Sequence, residues 1–201
     1  MARYTGPRAK RSRRARQLLD ENKAKYFDRR PYPPGEHGRG RIRESQYFTQ
    51  LREKQKLRQM YGVLEKQFRR YYKEANRRSG ITGTNLLQLL ECRLDNVVYR
   101  AGFARTRPQA RQLVNHGHFR VNGKKVDIPS YQVRLGDVVA LKERSSDTFP
   151  VQQAIDTIDR TKPEWLDVDV DRRSVTVTVL PSREQIDTEI KEQLIVELYS
   201  K

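Results

Sequence analysis

Residues 106–126, TRPQARQLVNHGHFRVNGKKV, decide how this chain folds. Thr106 and Gln109 stand in the Thr-x-x-Gln spacing of a capping box, and Pro108 suits a first helical turn, where its missing N–H is no loss. Ala110, Leu113 and Val114 form an inward stripe, and Gly117 ends the helix. HFRVNGKKVDI follows at once. Its Asn122-Gly123 pair is a strong hairpin signal, because a type I′ turn needs positive φ at both central residues. A helix thus runs straight into a hairpin, and both are cationic. Arg107, Arg111 and Asn115 fall at i, i+4 and i+8, opposite the apolar stripe. The hairpin adds Arg120, Lys124 and Lys125. The helix start over residues 106–109, flanked by Arg105 and Arg107, offers amides and a positive dipole end to a phosphate. Guanidinium groups add paired hydrogen bonds.

Taken alone, these are surface charges that any helix and hairpin can carry. The rest of the chain weighs against that plain reading. Its 201 residues have a formal charge of +17. Residues 1–80 hold 24 Lys or Arg against 8 Asp or Glu, residues 93–142 hold 10 against 3, and residues 143–201 hold 8 against 13. So uneven a charge attracts a polyanion. A membrane is one, but no apolar run approaches the ~20 residues of a spanning helix. KRSRRARQ is followed by no apolar segment of a secretory signal. Cys92 is the one cysteine, so no internal disulfide forms and a reducing, cytoplasmic setting is expected. On its helical pattern Cys92 reads as a buried small residue.

Residues 1–44 read as a basic, extended arm, broken by Pro31, Pro33, Pro34, Gly35, Gly38 and Gly40, with short helical turns at most around 12–19. Ser45 caps a helix to about 61, and a second helix carries Leu64, Phe68, Tyr71, Tyr72 and Ala75 at helical spacing. Its other face holds Lys66, Arg69, Arg70, Lys73 and Arg77, while Phe68 and one of Tyr71 or Tyr72 belong to the core. A third helix is expected from about 85 to 98, apolar on more than one face, with Gly102 as its C-cap. A turn at Gly136-Asp137 leads into a strand over 138–141. Val175, Val177 and Val179 alternate as in a half-buried strand. A terminal helix over 190–199 would bury Ile190, Leu194 and Leu198. The expected class is α+β: a mostly helical N-terminal domain with its basic arm, plus a small helix–helix–hairpin module. The expected domains are the arm at 1–44, a helical domain at 45–92 joined by 156–201, and the module at 93–155.

No catalytic residue is expected. His37, His116 and His118 have no Cys, Asp or Glu at metal-site spacing, no nucleophile elbow or phosphate loop occurs, and Asp167, Asp169 and Asp171 read as a solvated acidic loop. No metal or other cofactor is expected. Binding is the better reading, with EKQFRRYYKEANRR adding stacking surface to charge.

Residues 93–139, RLDNVVYRAGFARTRPQARQLVNHGHFRVNGKKVDIPSYQVRLGDVV, resemble the RNA-binding module named after ribosomal protein S-four. That module also occurs in pseudouridine synthases, tyrosyl-tRNA synthetases and small heat-shock RNA-binding proteins. MARYTGPR, RPYPPGEHGRGR, EKQKLRQMYGVLEKQFRRYY and EQLIVELYSK extend the resemblance to the bacterial S-four family of the small ribosomal subunit, over nearly the whole chain. The resemblance implies a structural, primary binder of small-subunit ribosomal RNA. Such a protein grips a multi-helix junction in the 5′ domain, nucleates assembly, touches the neighbouring protein S-five in a way that affects translational accuracy, and lines the path by which messenger RNA enters. Some relatives bind zinc through cysteines in the arm, but no cysteine precedes Cys92 here. The expected RNA-binding residues are Arg3, Arg13, Arg14, Arg39, Arg41 and Arg43 in the arm; Lys54, Arg58, Lys66, Arg69, Arg70, Tyr72 and Lys73 in the helical domain; and Arg105, Thr106, Arg107, Gln109, Arg111, Asn115, His116, His118, Arg120, Lys124 and Lys125 in the module. The alternatives are an RNA-modifying enzyme of the pseudouridine synthase type or an RNA chaperone carrying the same module. Fewer than 60 residues follow the module, too few for a catalytic domain.

Overall fold

A computed structural model describes residues 4–19, 23–40, 43–145, 148–157 and 161–200. The chain forms two compact units, Met1–Gly83 with Thr188–Lys201, and Thr84–Asp187. Arg3 and Arg41 lie outside the described residues.

The first unit is helical. Residues 1–44 carry more structure than an extended arm: α1 spans Arg8–Ala15, α2 spans Ala24–Asp28, and a 3-10 turn spans Glu36–Arg39. The Arg- and Ala-rich composition of α1 favours helix, and Arg16 in the left-handed region ends it. The Ser12 hydroxyl, fully buried, accepts from the Leu19 amide at 3.2 Å. Arg13 ties the proline segment to α1: its Nε donates to the Tyr32 carbonyl at 2.9 Å, and its guanidinium lies 5.1 Å from the Tyr32 ring centroid. Arg39 approaches the same ring at 4.8 Å. Gly38 is required, since a side chain there would collide with the Pro33 carbonyl oxygen. Replacing Arg13 with alanine should loosen this segment by about 1 kcal/mol. Amide exchange at Gly38 and Gly40 would rise roughly fivefold, while the melting of the unit stays unchanged.

The core of this unit lies among α3 (Gln46–Met60), α4 (Glu65–Arg77) and α9 (Glu192–Tyr199). Ser45 caps α3 as expected, accepting from the Phe48 amide at 3.2 Å. Phe68, Tyr72 and Ala75 form the buried stripe of α4, and Tyr199 stacks on Tyr72 at 4.6 Å between centroids. On α9 the fully buried residue is Ile195, not Leu194 or Leu198, because Ile190 precedes the helix and the inward stripe starts later.

The second unit is an antiparallel sheet with helices. The single helix expected over 85–98 is two, α5 (Thr82–Glu91) and α6 (Leu94–Arg100). Arg93 is extended and bridges to Gln132, and Val133 donates to the Cys92 carbonyl at 2.8 Å. These backbone partners compete with the helical ladder and break it. Gly102, at φ 89°, closes α6. α7 (Arg107–Asn115) follows, then β1 (Phe119–Val121), β2 (Lys124–Lys125) and β3 (Val138–Leu141). Beyond them come α8 (Phe149–Thr157), β4 (Leu166–Asp169) and β5 (Ser174–Val177).

The sheet order is β2-β1-β3-β5-β4. Residues 166–177 therefore extend the sheet of this unit instead of joining the helical one, because β5 pairs with β3 through Val139 and Val175. Val175 and Val177 are buried, but Val179 lies past the strand and is exposed. One apolar core holds α6, α7 and the sheet together, with Phe103, Phe119, Val139, Trp165 and Val175 at its centre.

Candidate nucleic-acid interface

In the second unit the hairpin is rigidly placed. Asn122 and Gly123 have φ of 49° and 78°, and Val121 faces Lys124 across the turn. The Asn122 side chain donates to Asp137 at 2.8 Å and accepts from the Val138 amide at 2.9 Å, which locks the turn to the next loop. Phe119 and Val121 point into the core, so Arg120 points out, directly opposite Lys125. Like charges in register oppose one another and cost stability. Lys125 reaches Asp127 at 3.6 Å, and its stem crosses Gly117, where a Cβ would lie 2.7 Å from the Lys125 Cε. Lys124, Lys125, Arg120, Asn115, His116 and Arg105 are all exposed. The sheet is polarised: its β2 margin carries lysines, and its β4 margin carries Asp167 and Asp169.

The helix start behaves differently from expectation. The Thr106 half of the capping box forms, with the Gln109 amide donating to Thr106 Oγ1 at 3.2 Å, while the Gln109 side chain reaches one residue further and accepts from the Arg105 amide at 2.8 Å. Gln109 also donates to the Pro150 carbonyl at 3.3 Å. With Pro108 lacking an N–H, these caps take up amides that the sequence suggested for a phosphate.

Arg107 and Arg111 do not share an open face either. Arg111 is 9% exposed, and its Nη1 lies 3.8 Å from Asp95 Oδ2. Arg107 is half-buried, stacked over Tyr99 at 4.4 Å, and its Nε donates to Asn96 Oδ1 at 2.8 Å. Two buried carboxylates organise this region. Asp95 holds Arg93, and Glu91 accepts from Arg100 at 2.8 Å and from Asn96 at 2.7 Å. Sequence reasoning missed Glu91, Asp95 and Asn96. The signal was there: Glu91, Arg93 and Asp95 stand close together in a mostly apolar run, where buried charges need partners of opposite sign.

His118 is half-buried, with Nδ1 2.8 Å from Ser145 Oγ, and its ring centroid is 6.2 Å from that of exposed His116. Among the described residues no group of His, Cys, Asp or Glu is arranged to hold a metal. Burial, then the charges of His116 and Lys142, lower the His118 pKa. Below about pH 6.5 the unfolded chain takes up this proton more readily than the folded one, so stability is full above that pH and falls as pH drops through the folded value. Urea unfolding should show a smaller loss between neutral and mildly acidic pH in His118→Gln than in the parent.

In the first unit Lys66, Arg69, Arg70 and Lys73 line one exposed face of α4, and among the described residues none of the four is paired with a carboxylate. Arg14, Arg39 and Arg43 are also exposed. Three expected contacts are otherwise engaged. Lys54 is buried and donates to Glu65 at 2.9 Å, Tyr72 is stacked in the core, and Arg13 serves the arm. Tyr199 donates to the same Glu65 at 2.8 Å. Arg58 is half-buried, donating to Gln55 at 2.6 Å.

The profile described as Ribosomal protein S4/S9 N-terminal domain matches residues 3–91, and the S4 domain matches 92–139. A small ribosomal subunit protein uS4 of Nocardioides sp. is 63% identical over 202 residues, with both chains covered in full. Those of Rhodococcus erythropolis and Mycolicibacterium smegmatis are 62% and 60% identical over 203 residues, again at full coverage.

The chain belongs to the uS4 family. That is the family its sequence motifs resembled, and it is one of structural ribosomal proteins, not of enzymes. The S4 domain of this uS4 chain comprises α6, α7 and the hairpin, and it reaches Val139 in β3. Among the described residues no helix is long and apolar enough to cross a membrane.

Proposed function

We propose that this chain is a structural component of the small ribosomal subunit in the cytoplasm that binds ribosomal RNA through two cationic faces. One is the hairpin with the C-terminal end of α7, which carry Asn115, His116, Arg120, Lys124 and Lys125, with Arg105 exposed before the start of the same helix. The other is the α4 face with Lys66, Arg69, Arg70 and Lys73. The observation that carries this reading is the cross-strand pair Arg120 and Lys125. A fold that holds like charges opposite each other bears a cost that an anionic partner reverses. Lysine and arginine neutralise phosphates and release counterions, and a folded junction presents them along a specific contour. In the finer reading, the chain grips a multi-helix junction of the 5′ domain and nucleates its assembly. It also contacts S-five, with consequences for accuracy, and borders the path of incoming messenger RNA. Arg107, Thr106, Gln109 and Arg111 then act by shaping the interface more than by direct contact, since each is held by groups of its own unit.

Chemical footprinting of small-subunit RNA with and without the protein tests this. Protection concentrated at one junction of the 5′ domain is the expected outcome. Protection spread evenly over duplex regions would instead favour a general RNA chaperone.

A further inference from the structure

A cleft of about 440 Å³ lies between α1 and α3 in the first unit. Lys10, Arg11, Arg14, Arg52 and Arg58 line it, and among the described residues no carboxylate does. Two aromatic rings also line it and remain accessible, Tyr4 at 40% and Phe48 at 37% exposure. The Arg11 guanidinium sits 3.1 Å from the Tyr4 ring centroid, and that of Arg52 sits 5.6 Å from the Phe48 centroid. Arg52 spends Nη1 on Glu44 at 2.6 Å, yet its Nε is buried with no hydrogen-bond partner. The same holds for Arg58 Nε and for Gln59 Oε1. Buried polar atoms are nearly always satisfied, so two donors and an acceptor left open beside one cleft point to something that fits there. Burial foremost, with the charges of Arg58 and Arg8 also contributing against the favourable pull of Tyr4, draws the Arg11 pKa down, a strain that an anion would relieve.

We propose that this cleft receives one unstacked nucleotide of an RNA strand. The base stacks on Phe48, and its phosphates lie among the arginines. This rests on the RNA-binding reading above and adds to it a site for a base, where the other faces meet backbone. The volume suits a small planar ligand with a few polar groups. Stacking on aromatic side chains needs a base released from its helix, so single strands, loops and bulges qualify and duplexes do not. A free nucleotide shares the chemistry, but even with Arg52 offset by Glu44 and Arg58 by Glu65, the charges of Lys10, Arg11 and Arg14 exceed what one mononucleotide neutralises.

The test uses the full chain and a short single-stranded RNA of mixed sequence carrying 4-thiouridine, with an RNA duplex and free nucleoside monophosphates alongside. Ultraviolet crosslinking should join the single strand to peptides containing Tyr4 or Phe48. Phe48→Ala should weaken single-strand binding roughly tenfold while duplex binding changes by less than about twofold, and Phe48→Trp should restore it. Melting curves of both variants should match the parent, because Phe48 is partly exposed. Crosslinks confined to the hairpin, or equal affinity in Phe48→Ala, would overturn the cleft assignment and leave the broader RNA reading intact. Monophosphates that bind as tightly as the strand would overturn RNA as the source. Failure to bind either RNA would overturn the broader reading too.

Discussion

Replacing Asp95 with alanine should destabilise the second unit by about 3–5 kcal/mol. Arg93 is wholly buried, and Asp95 holds it with two parallel hydrogen bonds, 3.0 Å from Nε and 2.6 Å from Nη2. Arg111, itself nearly buried, approaches the same carboxylate. Removing one member of a buried ion pair leaves the other charge in a medium that solvates it poorly, and that penalty exceeds the net value of the pair. Asp95→Asn should fall between parent and alanine, since it keeps the shape and loses the charge. Exchanging both partners for apolar residues of similar volume, as in Arg93→Met with Asp95→Leu, should recover most of the loss. Urea unfolding monitored by Trp165, buried in the same unit, reads all of these. A loss below about 1 kcal/mol for Asp95→Ala would mean that Arg93 reaches solvent at little expense.

The second large effect belongs to RNA. Changing Arg105, Arg120, Lys124 and Lys125 together to alanine should flatten the log–log salt dependence of ribosomal RNA binding by roughly 3. If each contact contributes about 1 kcal/mol at low ionic strength, affinity should fall on the order of a thousandfold there and much less at high salt. The free protein should melt no lower than the parent. All four side chains are exposed, and the change removes the Arg120–Lys125 repulsion. An unchanged slope would remove this face from the interface. A lower melting temperature would mean that the cations serve the fold.

These two substitutions mark the limit of what could be read from the chain. The capping box at Thr106 and Gln109 and the turn at Asn122-Gly123 were legible because each is decided by a few neighbouring residues. The exposed cations of α4 were legible from helical period alone. The internal contacts of Arg111, Lys54 and Tyr72 were not legible because their partners, Asp95, Glu65 and Tyr199, come from other elements, and a charge or ring at a surface period gives no sign of that. The break between α5 and α6 is likewise set from afar, by the bridge between Arg93 and Gln132. α8 and β4 lie in a segment without strong periodicity, and β4 becomes a strand through its pairing with β5.

The lysines of β2 bear on the protein before it meets RNA. A sheet that does not close on itself has two open margins, each able to template the addition of a foreign strand. Here one margin ends in a strand of only two residues, both lysine, and the other bears aspartates. A second copy docking β2 against β2 would have to dehydrate four ammonium groups for very few backbone bonds. The side chains proposed to meet phosphate therefore also guard a newly made, partnerless molecule against clumping, and removing them should be felt in solubility as well as in affinity.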